Sequence, residues 1–151
     1  MIERELEIAR RHNYTTELIM FDIDNFKKVN DVYGHNIGDL VLKEAVKVVR
    51  ANLRSYDIFG RMGGEEFIIF TKNPGREGLV SFAERLRETL EELQINSDKG
   101  TVRLTASFGI SEIPPNGNFK DALNKADLAM YCSNNEGRNR VSMANSKSSE
   151  D

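Results

Sequence analysis

The sequence predicts an α/β sandwich in which helices and a mixed or antiparallel sheet pack in two layers. Two observations lead to this prediction. Segments with apolar residues three and four positions apart are typical of amphipathic helices, and short apolar or alternating segments between them are typical of strands. The 151 residues suit one domain, and no repeat or linker divides them. The predicted order is α-β-α-β-β-α-β-α-β.

The first half of the chain supplies five of these elements. Residues 1–12 are charged with one apolar side, which predicts a helix, and the continuous apolar run over 18–23 predicts a buried strand. A polar stretch with two glycines follows as a turn, and a helix with one apolar face then spans 42–53. Short strands over 57–62 and 66–70 flank a Gly-Gly pair, which predicts a hairpin because tight turns need positive φ.

The second half supplies the other four elements. Residues 79–93 form the clearest helical stripe, and apolar residues alternate over 102–110, which predicts a strand. Asn118 is the predicted N-cap of a helix over 119–130. A short strand is expected over 140–143.

The domain is expected to span residues 1–144. Asn73-Pro74-Gly75 is a predicted loop within it. Residues 145–151 are polar and are expected to form a disordered tail.

The composition argues against several classes of protein. With 24 acidic and 21 basic residues, the net charge is −3, which disfavours a protein that holds a nucleic-acid polymer by charge. The single cysteine, Cys132, allows no internal disulfide, and two histidines cannot complete a zinc cluster with it. The apolar run over 18–21 is too short to cross a bilayer. We therefore expect a soluble, cytoplasmic domain, whose parent protein can still carry membrane or sensor segments.

Two acidic pairs form the first candidate site. Asp22 and Asp24 end a predicted strand, and Glu65 and Glu66 lie at the turn of the predicted hairpin. If the two strands are neighbours, three or four carboxylates converge and need a cation, for which hard oxygen ligands suit Mg²⁺ or Mn²⁺. A solvated acidic turn is equally compatible with the spacing alone.

The second candidate site follows the first directly. Residues 25–31 and 34–39 combine glycines, amides and lysines, and the backbone N–H groups of such a turn can hold phosphate oxygens. Asn30 and Asp39 add an amide and a carboxylate. A carboxylate accepts hydrogen bonds from both N1–H and N2–H₂ of guanine, and adenine lacks this donor pair. Taken alone, the same residues are also ordinary loop formers.

Five motifs in the chain, in this order, resemble the successive signatures of the GGDEF family of diguanylate cyclases. They are Asp22 to Asp31, Gly34-His35 with Gly38-Asp39, Arg61 to Phe67, Ala126-Asp127 with Met130-Tyr131, and Gly137 to Arg140. The resemblance covers residues 18–141. It implies a fold similar to that of adenylyl cyclase and polymerase palm domains.

The resemblance also implies an activity. Two domains would face each other, each holding one GTP, and each 3′-hydroxyl would attack the α-phosphate of the other GTP. The products would be cyclic di-GMP and two pyrophosphates. The implied partners are GTP, a second copy of the domain for turnover, and sensory domains in the parent protein.

The metal ligands are the first residues that the resemblance assigns. Asp22, the Ile23 carbonyl, Glu65 and Glu66 would bind Mg²⁺ or Mn²⁺. Asp22, Glu65 and Glu66 would therefore be the catalytic residues. Glu65 is also the candidate for accepting the proton of the attacking hydroxyl.

The remaining assignments concern the nucleotide. Asn30 and Asp39 would recognise guanine. The residues implied at the triphosphate are Lys27, Arg138 and the backbone around Asn25 and Phe26. Gly63 and Gly64 would let the hairpin backbone approach the nucleotide.

A product-inhibition site is implied by an R-x-x-D sequence, Arg54 to Asp57, five residues before the double glycine. Arginine can contact a phosphate or a guanine edge at two points, which suits a guanine dinucleotide. Arg85 or Arg87 is expected to supply a further arginine. The alternative interpretation is a surface ion pair at a helix end.

Three features depart from the family pattern. Asn134 stands where the family usually has a lysine, three residues after Tyr131, and should weaken triphosphate binding. Met62 replaces the usual aromatic residue before the double glycine. The segment that usually precedes the first helix is missing, so we expect low activity of the isolated chain.

Three other functions compete with an active cyclase. The first is a catalytically weak domain that binds GTP or cyclic di-GMP and relays a signal, which Asn134 favours. The second is a cyclase that makes a mixed guanine-adenine product, which Asp39 disfavours. The third is an interaction domain without a nucleotide.

Overall fold

The structure is a computed structural model that describes residues 1–72 and 75–144. The elements in chain order are α1 (Ile2–His12), β1 (Thr16–Ile23), α2 (Phe26–Tyr33), α3 (His35–Ala51), β2 (Ile58–Gly63), β3 (Glu66–Lys72), α4 (Gly75–Glu92), β4 (Gln94–Ser97), β5 (Gly100–Arg103), β6 (Ala106–Ile113), α5 (Phe119–Asn135) and β7 (Val141–Met143). The tail expected over 145–151, and most of the loop expected over 73–75, lie outside the described residues.

A five-stranded sheet forms the centre of the molecule, with the strand order β2-β3-β1-β6-β7. Its neighbouring strands are antiparallel except β6 and β7, which are parallel. The predicted mixed sheet flanked by helices is therefore confirmed. The strand β1 lies at the centre and is buried on both faces, which explains its continuous apolar run.

Helices cover both faces of the sheet. On one face, α2, α3 and α4 pack against a core that includes Ile19, Phe21 and Phe108. On the other face, α1 and α5 pack against a second core that includes Leu18 and Met20. The molecule has three layers rather than the expected two, because consecutive residues of β1 supply apolar side chains to opposite faces.

Two segments differ from the sequence prediction. The polar stretch expected as a turn contains the helix α2 and the first turn of α3, because Val29 and Ile37 turn one side of each helix into the core. The continuous strand expected over 102–110 is divided into β5, which pairs with β4 in a separate hairpin, and β6. Thr105 causes the division, because its carbonyl and its hydroxyl both bond to Asp24.

Local signals were reliable elsewhere. The predicted hairpin is β2 with β3, and the predicted first helix is α1. Asn118 caps α5, because its side-chain oxygen accepts a hydrogen bond from the Asp121 N–H at 2.8 Å. Within the described part of the chain, no helix has both the length and the apolar composition to cross a membrane.

Candidate active site

The two acidic pairs meet at one edge of the sheet. The strands β1 and β3 are neighbours, and Asp22 stands directly opposite Glu66 in their antiparallel register. The Ile23 N–H donates to the Glu65 carbonyl at 3.2 Å, which fixes the hairpin beside the end of β1. The structure therefore brings together Asp22, Glu65 and Glu66, as the sequence predicted.

Asp22 is electrostatically perturbed. Its Oδ1 is buried and has no hydrogen-bond partner among the described residues. Burial raises the pKa of Asp22 from 3.8 to about 6; the negative charges of Asp24, Glu66 and Glu65 also raise it, and the Asn134 amide acts against them. A bound cation would favour the ionised carboxylate and use this free oxygen.

Asp24 lies close enough to Asp22 for its charge to act on it, but hydrogen bonds from the surrounding framework occupy its carboxylate. The residue is only 7% exposed. It accepts hydrogen bonds from the Thr105 hydroxyl at 2.7 Å, the Ser107 hydroxyl at 2.6 Å and the Asn139 N–H at 3.0 Å. Three of the four acidic residues thus remain candidates for metal binding. Asp24 instead stabilises the fold, because it joins β1 to the residues around β6 and to the turn after α5.

The chemistry of these residues fits a divalent cation that is shared with a nucleotide. In the ranges 1–72 and 75–144, no three acidic, histidine or cysteine side chains form a ready-made metal centre. Mg²⁺ in phosphate enzymes is commonly held by one or two carboxylates together with substrate phosphates. The unpartnered Asp22 oxygen and the adjacent Glu65 and Glu66 match this type of site.

Asn30 and Gly38 lie where α2 and α3 meet. The Asn30 Oδ1 is buried and has no partner in the described part of the chain. A Cβ added at Gly38 would lie 1.8 Å from this oxygen, so only glycine permits the observed packing. The neighbouring Asp39 is exposed and lines a groove of about 290 Å³. The other residues that line this groove are Leu42, Lys43, Val46, Arg61 and Phe67.

The tip of the β2–β3 hairpin is open. Arg61 Nε donates to the Gly64 carbonyl at 2.7 Å and so closes the turn, in which Gly64 has a φ of 49°. A Cβ at Gly63 or Gly64 would meet no atom of the described residues within 4 Å. Packing therefore does not require glycine at position 63, and the space above the hairpin is available to a ligand.

The N-terminus of α2 lies directly after Asp24. Asn25 precedes this helix in a left-handed conformation, and its side chain does not cap the helix. The N–H groups of the first turn of α2 therefore receive no hydrogen bond from the Asn25 side chain. Phe26 and the exposed Lys27 belong to this first turn. Arg138 is exposed in the turn after α5, and the Asn139 bond to Asp24 holds that turn beside α2.

The Arg54 to Asp57 segment is a closed turn. One Asp57 oxygen accepts from the Arg54 N–H at 2.8 Å, and the other accepts from the Thr71 hydroxyl at 2.6 Å. The guanidinium groups of Arg54 and Arg85 lie 5.8 and 5.2 Å from the centre of the Phe82 ring.

Of the two further arginines considered from the sequence, Arg85 is the one that lies over the same Phe82 ring as Arg54. Arg87 is engaged differently. It forms ion pairs with Glu84 at 3.1 Å and Glu91 at 3.3 Å.

The family model described as "Diguanylate cyclase, GGDEF domain" matches residues 1–140 of the chain. The chain belongs to the GGDEF family. The five motifs on which the resemblance was based lie within this match or end with it.

Curated relatives of this GGDEF domain carry the same description. "Diguanylate cyclase A" of Treponema denticola is 39% identical over 135 residues, which cover 86% of this chain and 35% of that protein. "Probable diguanylate cyclase DgcC" of Escherichia coli K12 is 34% identical over 146 residues, which cover 95% of this chain and 39% of that protein. The chain thus spans little more than a third of the length of these relatives.

Solved structures confirm the fold class. Diguanylate cyclase SiaD of Pseudomonas aeruginosa, in complex with its activator SiaC, matches with a TM-score of 0.90 and 33% identity, over 95% of this chain and 55% of that one. The GGDEF domain of DgcB from Caulobacter crescentus, in complex with c-di-GMP, matches with a TM-score of 0.88 and 28% identity, over 95% of this chain and 88% of that one.

The hydrogen bond between Asp24 and Asn139 was not predicted from the sequence. Their shared hydrogen bond joins residues 115 positions apart, and the Thr105 bond to Asp24 spans 81 positions. The sequence also does not indicate that the consecutive residues Arg138 and Asn139 adopt a left-handed backbone conformation. The one available signal was Asp24 itself, since a carboxylate at the end of a buried strand needs partners.

Proposed function

We propose that this GGDEF domain is a diguanylate cyclase, which condenses two GTP molecules into cyclic di-GMP and releases two pyrophosphates. One observation carries the proposal: Asp22 faces Glu66 across neighbouring strands and holds a buried oxygen without a described partner, beside an open glycine hairpin. The similarity to proteins named diguanylate cyclases supports it.

The metal-binding residues in this proposal are Asp22, Glu65, Glu66 and the Ile23 carbonyl. When bound, Mg²⁺ or Mn²⁺ supplies charge neutralisation at the α-phosphate and at the attacking hydroxyl. Burial keeps the Asp22 carboxyl away from water, so its interactions are stronger than at an exposed site. Glu65, at the hairpin tip, is our candidate for accepting the proton of the 3′-hydroxyl.

Asn30 and Asp39 would select guanine. The buried Asn30 oxygen lacks a described partner, and a guanine N–H group can satisfy it. Asp39 offers a carboxylate on the wall of the adjacent groove. An adenine base would leave these acceptors unpaired, which is the costly outcome that gives such sites their selectivity.

The N-terminus of α2 would hold the triphosphate. N–H groups at the start of a helix, together with the helix dipole, attract phosphate oxygens. The backbone around Asn25 and Phe26 would provide these donors. Lys27 and Arg138 would add positive charge from two sides.

Turnover requires two copies of the domain in this proposal. Each copy carries one set of substrate-binding residues, and the 3′-hydroxyl of each GTP attacks the α-phosphate of the other. Catalysis then depends on positioning and on stabilisation of charge. Attached sensory domains would control how the two copies meet.

A catalytically weak signalling domain is the second candidate function. Asn134 favours it, because a neutral amide stands where a lysine would contribute positive charge, and it acts on the Asp22 carboxyl. Such a domain would still bind cyclic di-GMP at Arg54, with Asp57 holding the turn and Arg85 contributing a second cation.

Product analysis tests the proposal. The purified chain is incubated with GTP and Mg²⁺ at high protein concentration, so that two copies meet, and the products are separated by chromatography. We expect cyclic di-GMP and pyrophosphate from the wild type and none from the folded Glu65→Gln variant. GTP binding without any product would contradict the cyclase and favour the signalling domain.

A further inference from the structure

The turn that carries Arg138 has an unusual backbone. Gly137, Arg138 and Asn139 have φ values of 120°, 64° and 48° in succession. Residues with a side chain disfavour this region, and two in a row persist only where surrounding contacts fix them. The contacts of this turn therefore decide where Arg138 lies.

Backbone contacts fix the turn first. The Arg138 N–H donates to the Ser133 carbonyl at 2.9 Å, and the Asn139 N–H donates to the buried Asp24 carboxylate at 3.0 Å. The Arg140 carbonyl accepts from the Phe108 N–H at 2.9 Å. Three successive residues are thus bound to α5, to Asp24 directly after β1, and to β6.

The Asn139 side chain then ties the turn to α4. Its Oδ1 accepts from Arg87 Nη1 at 3.0 Å, and its Nδ2 donates to Glu91 Oε2 at 2.5 Å. Both ends of the amide are engaged, so Asn139 can neither rotate nor leave without breaking charge-assisted bonds.

The Arg138 side chain is in the opposite situation. Its guanidinium forms no hydrogen bond or ion pair with any residue that the structure describes, and it is exposed. The fixed backbone of this turn thus carries a cation with no partner among the described residues, and the Asn139 bond to Asp24 holds the turn beside the residues that lead into α2. The fixed backbone limits the positions that the Arg138 side chain can reach, so less freedom is lost when it binds a ligand.

We propose that Asp24 and Asn139 are positioning residues, which hold Arg138 in place for the triphosphate of GTP. The inference rests on the proposed binding of GTP and adds the framework that places one of its cations. Asp24 acts through the Asn139 N–H, and α4 acts through the Asn139 side chain. Neither residue needs to touch the nucleotide.

The inference is tested with a double-mutant cycle on the KM for GTP. Arg138→Ala should raise this KM about 10- to 100-fold, the range for a lost hydrogen bond to a charged group. Asn139→Gly keeps the left-handed backbone and the N–H but removes the bridge to α4, and should raise KM several-fold while kcat changes little. In the Arg138→Ala background, Asn139→Gly should cause no further increase in the KM for GTP.

A matched pair on α4 and a conservative variant complete the design. Glu91→Ala removes the partner of Asn139 Nδ2, whereas Glu88→Ala removes the same charge one turn away, 3.7 Å from Arg87. Glu91→Ala should raise KM and Glu88→Ala should not. Asp24→Ala should raise the KM for GTP. Asp24→Asn, which retains an acceptor for the Asn139 N–H, should leave the KM close to that of the wild type.

Each outcome decides the inference. Equal effects of Asn139→Gly in the wild-type and Arg138→Ala backgrounds would show that Asn139 has a merely structural role. An unchanged KM in the Asn139→Gly variant would show that the bridge to α4 does not position Arg138. If the wild type binds GTP without turnover, the dissociation constant replaces KM in the same cycle. If the wild type does not bind GTP at all, the proposed function fails and the positioning role fails with it.

Discussion

The strand β1 carries two perturbed carboxylates, one near each end. Glu17 and Asp22 both have a buried oxygen without a partner among the described residues. Burial is the main cause of a raised pKa in both residues. The pKa of Glu17 is raised to about 7 and that of Asp22 to about 6. By these criteria alone, either end of the strand is a candidate functional site.

Their surroundings differ. Glu17 is 1% exposed and lies between Thr71 and Glu112, and Glu112 is already paired with Arg76 at 3.0 Å. Asp22 lies at the sheet edge, where the open hairpin and the start of α2 leave room for a ligand. A raised pKa therefore marks a site only where a ligand can reach the group.

The largest expected effect distinguishes the two carboxylates by activity. Asp22→Asn should lower turnover of GTP by about 100-fold or more, because charge stabilisation at the reacting phosphate is lost. Glu17→Gln should leave turnover within a few-fold of the wild type. Initial rates of pyrophosphate release, measured with both variants shown to be folded, check this contrast. Comparable losses in the two variants would remove the distinction.

The second prediction concerns stability and pH. Folded Glu17 keeps its proton up to a pKa of about 7, whereas the unfolded chain releases it near 4.5. The free energy of unfolding should therefore fall as pH rises from about 4.5 to 7, by about 3 kcal/mol from this group. Urea unfolding at pH 5 and pH 8 measures the fall, and Glu17→Gln should reduce it by that amount. An identical fall in the variant would show that Glu17 is not the group responsible.

The third prediction separates packing from ligand approach at the hairpin. Gly63 has an ordinary φ and no described atom near its Cβ position, so Gly63→Ala should preserve the melting temperature. Turnover should nevertheless fall about tenfold, since the methyl group occupies the space proposed for the nucleotide. Gly64→Ala is the control, and it should lower stability by roughly 1 kcal/mol because of its positive φ. Full activity of Gly63→Ala would place the nucleotide elsewhere.

The smallest expected effect concerns Asn134. A lysine there would bring a positive charge close to Asp22, where the amide now acts. Asn134→Lys should therefore tighten GTP binding roughly threefold to tenfold, the gain expected for a charge-assisted hydrogen bond. Isothermal titration with a GTP analogue that lacks the attacking 3′-hydroxyl measures the gain. Weaker binding by the variant would mean that the amide suits this site better than a cation.

Features that depend on neighbouring residues were predictable from the sequence. The two short strands around the Gly-Gly pair located the β2–β3 hairpin, and the apolar run located β1. Because the two acidic pairs sit at the ends of these strands, the meeting of Asp22 with Glu66 could also be predicted, on the condition that the strands are neighbours.

Features that depend on distant partners were not predictable. The helix α2 has only eight residues and is followed directly by Gly34, so its sequence resembled a loop, although Phe26, Val29 and Tyr33 pack into or against the core. The break between β5 and β6 is set by bonds from Thr105 to Asp24, which sequence periodicity does not record. The third layer likewise depends on how both faces of β1 are covered.

The location of the metal tests the central claim most directly. Amide NMR spectra of the chain are recorded with a GTP analogue that lacks the 3′-hydroxyl and with increasing Mn²⁺, whose unpaired electrons broaden nearby resonances. Glu17 and Asp22 are five residues apart on β1, which is roughly 17 Å at about 3.3 Å per residue, so the two carboxylates can be resolved. We predict early loss of the Ile23 and Glu66 signals while those of Glu17 and Glu112 remain. Broadening centred on Glu17, or none at either end, would contradict the account.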